Sequence, residues 1–393
     1  MTSRGDEPGP PSYAQWVRHT IQCVRSDRHP VVNLFDSSVP EPLELLQKLV
    51  LDGFSDPITD RYTSAFAGGN PFVIAELARR YGVGEEAVLC TTGATGALSL
   101  ICQALLTPGD RVLVENPGFD LFHAIPRAYG FGVDSFERRG ERFTIDPDEV
   151  AAAIGPRTRL VILSNLHNPS GMAADEATLA EIGRIVEARG ITVVVDEVYG
   201  DYAPASVRMR SAAHLSPAII AVSSLTKIFG LSTLRCGWIV AHPERIAPIR
   251  ALNDEVEFGV SNLAHGVAAL VLEHSDRFTD YWTEYLRRAR PVMEAWHRDC
   301  IAQGLIEGAL PDYGCIAFPR LVDVEDGAAF SEWLAERSGV IVAPGGYFGA
   351  SDHVRIGFAQ APDALDYGLQ AFTEGLIAYR DRHAEPRTRL SKA

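Results

Sequence analysis

From about residue 86 the apolar positions settle into a repeating order. Nearly unbroken runs, L-V-I-L at 160–163 and I-T-V-V-V at 191–195, alternate with stretches whose apolar residues recur every three or four places. An unbroken run predicts a strand covered on both faces, and the wider spacing predicts a helix with one buried stripe. On that basis 86–91, 111–115, 158–164, 191–195, 218–223 and 237–241 read as strands, and 93–106, 119–129 and 176–188 as helices. In the last of these, Leu179, Ile182, Ile185 and Val186 make one stripe. Such alternation predicts an α/β fold, a mainly parallel sheet with flanking helices. Earlier in the chain, 13–24 reads as an amphipathic helix, 31–35 as an extended run, and 42–51 and 71–81 as helices. The last is opened by Asn70-Pro71, a cap followed by proline at the first helical position. Past Pro243 the order changes. Long helical stretches run through about 255 to 303, and strand-like segments at 315–318, 340–342 and 353–358 lie among further helices. The expected division is a leader and arm (1–30), a large unit (60–285), and a smaller α+β unit combining 31–59 with 286–393.

Composition narrows the picture by exclusion. At 393 residues the chain calls for two or three domains. No apolar stretch is long enough to span a bilayer, and the polar, proline-rich start does not read as a secretion signal. Six cysteines without C-x-x-C spacing fit a reduced, cytoplasmic setting, and no His/Cys cluster has metal-ligand spacing. A net charge of -15 without a basic block argues against nucleic acid as a partner.

Lysine usage singles out one position. Of 36 basic residues only Lys48, Lys227 and Lys392 are lysine. Arginine cannot replace a lysine whose amine must become a nucleophile, because the guanidinium stays protonated. Lys227 sits in S-S-L-T-K-I-F-G-L-S-T-L-R-C-G-W, Ser223 to Trp238, three residues after Ser224 and eight before Arg235.

Three further constellations lie at predicted strand ends, where open α/β sheets bind ligands. In T-T-G-A-T-G, the backbone amides of Gly93, Ala94 and Thr95 open a helix and can cradle a phosphate, although a plain strand–helix turn would look the same. In H-N-P-S-G, Asn168 is held extended by Pro169, so its amide can donate to a phenolic oxygen or a carboxylate; an ordinary Asn-Pro turn is the bland alternative. In V-V-V-D-E-V-Y, Asp196 ends a buried strand, where a carboxylate is costly unless it meets a cation or caps a helix, and Tyr199 follows. Together with Ser224, Lys227 and Arg235 these are the parts that pyridoxal 5′-phosphate needs.

With these residues in place, the chain resembles the class I/II aminotransferases, the aspartate-aminotransferase-like branch of the fold-type I enzymes that use pyridoxal phosphate. The resemblance covers about 30–375 and follows one order: the Tyr62 region, G-A-T, N-P-G-F, H-N-P-S-G, D-E-V-Y, S-L-T-K with R-x-G, P-G-x-x-F-G and V-R-I-G-F. It implies that Lys227 forms the Schiff base, that Asp196 keeps the pyridine nitrogen protonated, and that Tyr199 and Asn168 contact the phenolic oxygen. It implies that Phe119 stacks on the ring, that Ala94, Thr95, Ser224 and Arg235 hold the phosphate, and that Tyr62 reaches the neighbouring subunit's phosphate in a homodimer. Arg355 is expected to clamp the substrate α-carboxylate, with a structural salt bridge as the alternative role. Where relatives carry a glycine near that carboxylate, this chain reads D-S-S-V-P, which puts Ser37 or Ser38 at the pocket; Ser38 is the one assigned to substrate. His167 reads as a packed side chain in preference to an acid/base group, and Cys236 as a small core residue.

The expected activity is transfer of an amino group from a free amino acid to a 2-oxo acid. The alternative keeps the cofactor and changes the outcome to elimination, cyclisation or carbon–carbon bond formation, as in superfamily enzymes that make capreomycidine. A non-catalytic ligand sensor is the third and weakest reading.

Overall fold

The computed structural model describes residues 12–26, 31–54, 59–63, 68–204, 206–207 and 210–384. Its centre is a sheet of seven strands: β1 (Val88–Thr92), β2 (Arg111–Asn116), β3 (Gly132–Glu137), β4 (Thr158–Ser164), β5 (Thr192–Asp196), β6 (Ile219–Ser224) and β7 (Cys236–Ala241). Their order across the sheet is β1-β7-β6-β5-β4-β2-β3. All run the same way except β7, which is antiparallel to both of its neighbours.

The unbroken apolar runs have a direct cause. Leu160 and Ile162 pack on one face of the sheet, with the helices Gly93–Leu105, Leu121–Ala128 and Pro243–Val256. Val161 and Leu163 pack on the other, against Leu179, Ile182 and Val186 of the helix Glu176–Glu187. A strand covered twice has no polar side to show. Each large side chain buried this way contributes roughly 1.5–3 kcal/mol. The exception is β3, which the apolar pattern did not predict. It is the edge strand beside β2, and in G-V-D-S-F-E only Phe136 is buried, so the sequence there lacks the run that marks a covered strand.

Outside the main sheet, Val32–Asn33 pairs in parallel with Val340–Ile341, joining the start of the chain to its last third. Val354–Gly357 pairs antiparallel with Ile316–Ala317 and with Ala343–Pro344. Helices Ser275–Ala302, Gly327–Ser338 and Pro362–Ala384 pack around these strands, with Trp296, Phe330 and Phe372 in edge-to-face contacts. The helical stretches expected over 255–303 are Asn262–Glu273 and Ser275–Ala302, after a non-helical link at 257–261, and the second helix runs through the expected unit boundary at 285. Among the described residues no helix is long and apolar enough to cross a membrane.

Candidate active site

Because β1, β4, β5 and β6 are parallel, their C-terminal ends open on one edge of the sheet. Register sets Ser164 beside Asp196 and Ser224 beside Gly237. The residues after those ends line a cavity of about 160 Å³ together with Tyr13, Ser37, Phe119 and Arg355. Of the predicted site residues, Ala94, Thr95, Phe119, Asn168, Asp196, Ser224, Lys227, Arg235 and Arg355 meet there.

Lys227 is half-buried, and its amine donates to Ser37 Oγ at 2.9 Å. Desolvation holds its pKa below the ordinary lysine value, and the Arg355 charge adds to this, against the opposing pull of Asp36 and Asp196. The backbone carbonyl of Lys227 accepts from Val39 N at 3.3 Å and from the Tyr202 hydroxyl at 3.2 Å. The lysine therefore sits on a loop pinned from two sides.

Asp196 ends β5 fully within the protein, and burial raises its pKa to about 7. One oxygen accepts from Val198 N at 3.0 Å. That local cap explains part of its placement and leaves the rest of the carboxylate facing the cavity. Close by, the Tyr199 hydroxyl is buried without a hydrogen-bond partner of normal geometry. Ser37 draws its pKa down, but burial prevails and raises it.

At the far side the helix Gly93–Leu105 begins without a side-chain cap, so its first amides remain available to an anion. Gly93 adopts φ +73°, and a Cβ there would lie 2.5 Å from Arg235 Nη2. The positive φ favours glycine there, and the exposed Arg235 guanidinium reaches across the helix start, where it donates weakly to Thr92 O at 3.4 Å.

Arg355 is buried, at 1% exposure, and among the described residues no carboxylate lies within ion-pair distance of it. Instead Nη1 donates to Asn168 Oδ1 at 2.9 Å, and Nη2 donates to Phe35 O at 3.1 Å and to the Tyr13 hydroxyl; Nε has no partner. The salt-bridge role weighed for it finds no partner here. A buried cation without a counter-charge is costly, and one facing a cavity is suited to an anionic ligand. Its strand is brought to the pocket by a close approach: a Cβ on Gly357 would run into the Asp36 carbonyl oxygen. Strand Val354–Gly357 and the loop carrying Ser37 thus lie against each other.

One placement differs from expectation. Ser38, named for the substrate, donates to Asp36 Oδ1 at 3.0 Å and does not line the cavity; Ser37 takes that place. One residue of offset turns a loop side chain to another direction, which composition cannot show. Tyr62 is exposed at 46% and lies away from this chain's own pocket. His167 is buried, with Nε2 donating to Pro117 O at 2.8 Å and Nδ1 accepting from the Ser170 hydroxyl at 2.6 Å. Burial and Arg138 lower its pKa well below the ordinary value, so it is a neutral packed side chain. Cys236 is likewise buried.

Two features escaped the sequence. Tyr13 enters the pocket from the helix Tyr13–Ser26. Glu115 and Arg138 form a buried ion pair: Arg138 Nε donates to Glu115 at 2.7 Å and Arg138 Nη2 to Ser164 O at 2.7 Å. Ser164 donates its hydroxyl and amide to Glu115 and accepts from Asn168 N at 3.0 Å. This network fixes the backbone beneath Asn168. The charged residues lie 23 positions apart, so no local spacing announces the pair.

A lysine amine, a buried carboxylate with no ion pair among the described residues, a phenol without a hydrogen-bond partner of normal geometry, a helix N-terminus and an arginine match the donors and acceptors of pyridoxal 5′-phosphate. The Arg355 guanidinium beside them, hydrogen-bonded but without a counter-charge among the described residues, matches a carboxylate. Among the described residues no three His, Cys, Asp or Glu side chains are grouped to hold a metal.

The family model for aminotransferase class I and II matches residues 63–372. Capreomycidine synthase of Streptomyces vinaceus is 32% identical over 311 residues, 78% of this chain and 79% of that protein. Arginine–pyruvate transaminase AruH of Pseudomonas aeruginosa is 30% identical over 311 residues, 74% and 76% respectively. Among solved structures, the pyridoxal-phosphate-dependent cyclase OrfR superposes with a TM-score of 0.81 at 25% identity, covering 96% of this chain and 100% of that one. An aspartate aminotransferase variant of Thermus thermophilus gives 0.81 at 24%, covering 95% and 100%.

Proposed function

The chain belongs to the class I and II aminotransferase family, and from that premise we propose that it moves the amino group of a free amino acid to a 2-oxo acid with pyridoxal 5′-phosphate. The observation that carries this reading is the convergence of Lys227, Asp196 and the uncompensated Arg355 on one cavity, with the Tyr199 ring centroid 5.9 Å from Lys227 Nζ. When bound, pyridoxal 5′-phosphate supplies the electron sink that makes the Cα–H bond of an amino acid acidic.

The chain's residues do the remainder. Lys227 would hold the cofactor through Nζ, and its burial favours the neutral, nucleophilic amine. The same Nζ would take the proton from the substrate Cα. Asp196 would face the ring nitrogen, where a cation relieves its burial. Tyr199 and the Asn168 amide would hold the phenolic oxygen. Gly93, Ala94 and Thr95 at the helix start, with Ser224 and Arg235, would hold the phosphate. Arg355 binds the substrate carboxylate, for which its planar guanidinium is suited. Phe119 would cover the ring. We further propose a cytoplasmic homodimer in which the exposed Tyr62 serves the neighbouring subunit's site, with residues 60–285 as the cofactor-binding unit.

A second reading is favoured by one observation, the similarity to capreomycidine synthase and to the cyclase OrfR. In it the same proton abstraction ends in elimination or ring closure. Incubation of the loaded enzyme with a panel of amino acids and 2-oxo acids, followed by product masses, separates the two. Amino exchange supports the first. Ring closure or net loss without exchange supports the second and removes the first. Lys227→Ala should abolish the visible absorption band formed with the cofactor; a retained band would overturn both.

A further inference from the structure

We infer that Tyr13 is a substrate-positioning residue whose phenol completes the carboxylate clamp of Arg355, so that the N-terminal helix forms one wall of the substrate site. The inference rests on the reading of Arg355 as the anchor of an α-carboxylate.

Tyr13 is 8% exposed and opens the helix Tyr13–Ser26. Its ring lies with its centroid 5.3 Å from Arg355 Cζ, while Phe348 covers the same guanidinium at 4.8 Å. Its backbone amide is held by Asp120 Oδ2 at 3.2 Å, one residue after Phe119, and its ring meets Phe119 edge-on at 6.0 Å. The side chain is thus fixed between the expected cofactor-ring contact and the expected carboxylate contact.

The hydroxyl decides what it does there. It accepts a hydrogen bond from Arg355 Nη2. Arginine has no acceptor, so the phenol's own hydrogen cannot be directed to it. Among the described residues no acceptor takes that hydrogen. Packing alone would be served as well by phenylalanine, because the contacts to Trp16, Phe119, Tyr347 and Phe348 are made by the ring. Nor is the hydroxyl needed to hold Arg355, which Phe35 O and Asn168 Oδ1 already fix. What remains is the Tyr13 O–H beside the Arg355 guanidinium, both residues lining a cavity where, among the described residues, no carboxylate lies within ion-pair distance of Arg355. A carboxylate brings two oxygens, one to meet the guanidinium charge and one to accept from the phenol.

The test uses the enzyme loaded with pyridoxal 5′-phosphate, and two probes that cannot react because they lack an amine, pentanoate and pentanamide. Calorimetric titration of wild type and Tyr13→Phe should show pentanoate binding weakened about tenfold or more in the variant, as for a hydrogen bond to a charged group. Pentanamide should change by less than about twofold. In turnover, KM should rise by a similar factor with kcat nearly unchanged, because the contact exists equally before and during reaction. Thermal unfolding of the variant controls for its fold. Unchanged pentanoate binding would overturn the inference, and so would an equal loss for both probes, which marks a packing role. Failure of wild type to form the visible band with the cofactor would remove the underlying reading itself. A normal band with unchanged Tyr13→Phe binding removes only the role of Tyr13.

Discussion

Asp196→Asn should stabilise the cofactor-free protein, and by an amount that depends on pH. Burial raises the Asp196 pKa from 3.8 to about 7. Well below pH 4 the carboxyl is protonated in folded and unfolded chains alike and costs nothing. As pH rises the unfolded chain ionises first, so stability declines until the folded carboxyl also ionises near pH 7, and is level above that. About three pKa units at about 1.4 kcal/mol each amount to about 4 kcal/mol. Asparagine keeps the acceptor for Val198 N, so the local cap survives. With an unfolding entropy of about 2.1 cal/mol/K per residue over 393 residues, the gain at pH 8 corresponds to about 5 °C. Far-UV circular dichroism melts of cofactor-free wild type and variant at pH 4, 6 and 8 measure it. The expected result is a gap that opens between pH 4 and 7, and cofactor binding weakened in the variant. A gap of equal size at all three pH values, or a wild type that is the more stable at pH 8, would refute the reasoning.

Two further outcomes follow from the packing around the site. Glu115→Gln and Arg138→Met should each cost about 3–5 kcal/mol in urea unfolding, because each leaves the other group's charge or donors buried unpaired, whereas Glu115→Leu with Arg138→Met should cost less than either alone; additive losses would count against the pair. Gly357→Ala should cost about 1–3 kcal/mol or more, because the new Cβ meets the Asp36 carbonyl oxygen. It should also raise KM by parting Arg355 from Ser37, and a variant with wild-type KM would contradict the close approach.

The sequence announced what repeats or what ends a strand. Runs such as L-V-I-L betray strands covered twice, and Asp196, Asn168 and Lys227 stand at or just beyond strand ends, where side-chain position follows from the fold class. Strand β3 stayed hidden because an edge strand needs no apolar run. Ser37 and Ser38 could not be told apart because loop side chains do not obey a period. Tyr13 gave no sign at all: an aromatic residue on an amphipathic helix looks the same whether it faces a core or a ligand. Glu115 and Arg138 were invisible for another reason, since their pairing is made by the register of adjacent strands and not by spacing along the chain.

Because β7 runs antiparallel to β1 and β6, Arg235 just before its start lies at the same sheet edge as the ends of those strands. The wall around Asp196, Ser224, Gly93 and Arg235 is built on strand ends whose mutual positions are set by a ladder of backbone hydrogen bonds, and a shift there would disturb the whole sheet. The wall of Tyr13, Ser37 and Arg355 is borrowed from a helix, a loop and a short strand of the chain's two extremities. Changes in those segments leave the ladder untouched. Such a scaffold can exchange one amino acid substrate, or one fate of the abstracted proton, for another without rebuilding its grip on the cofactor.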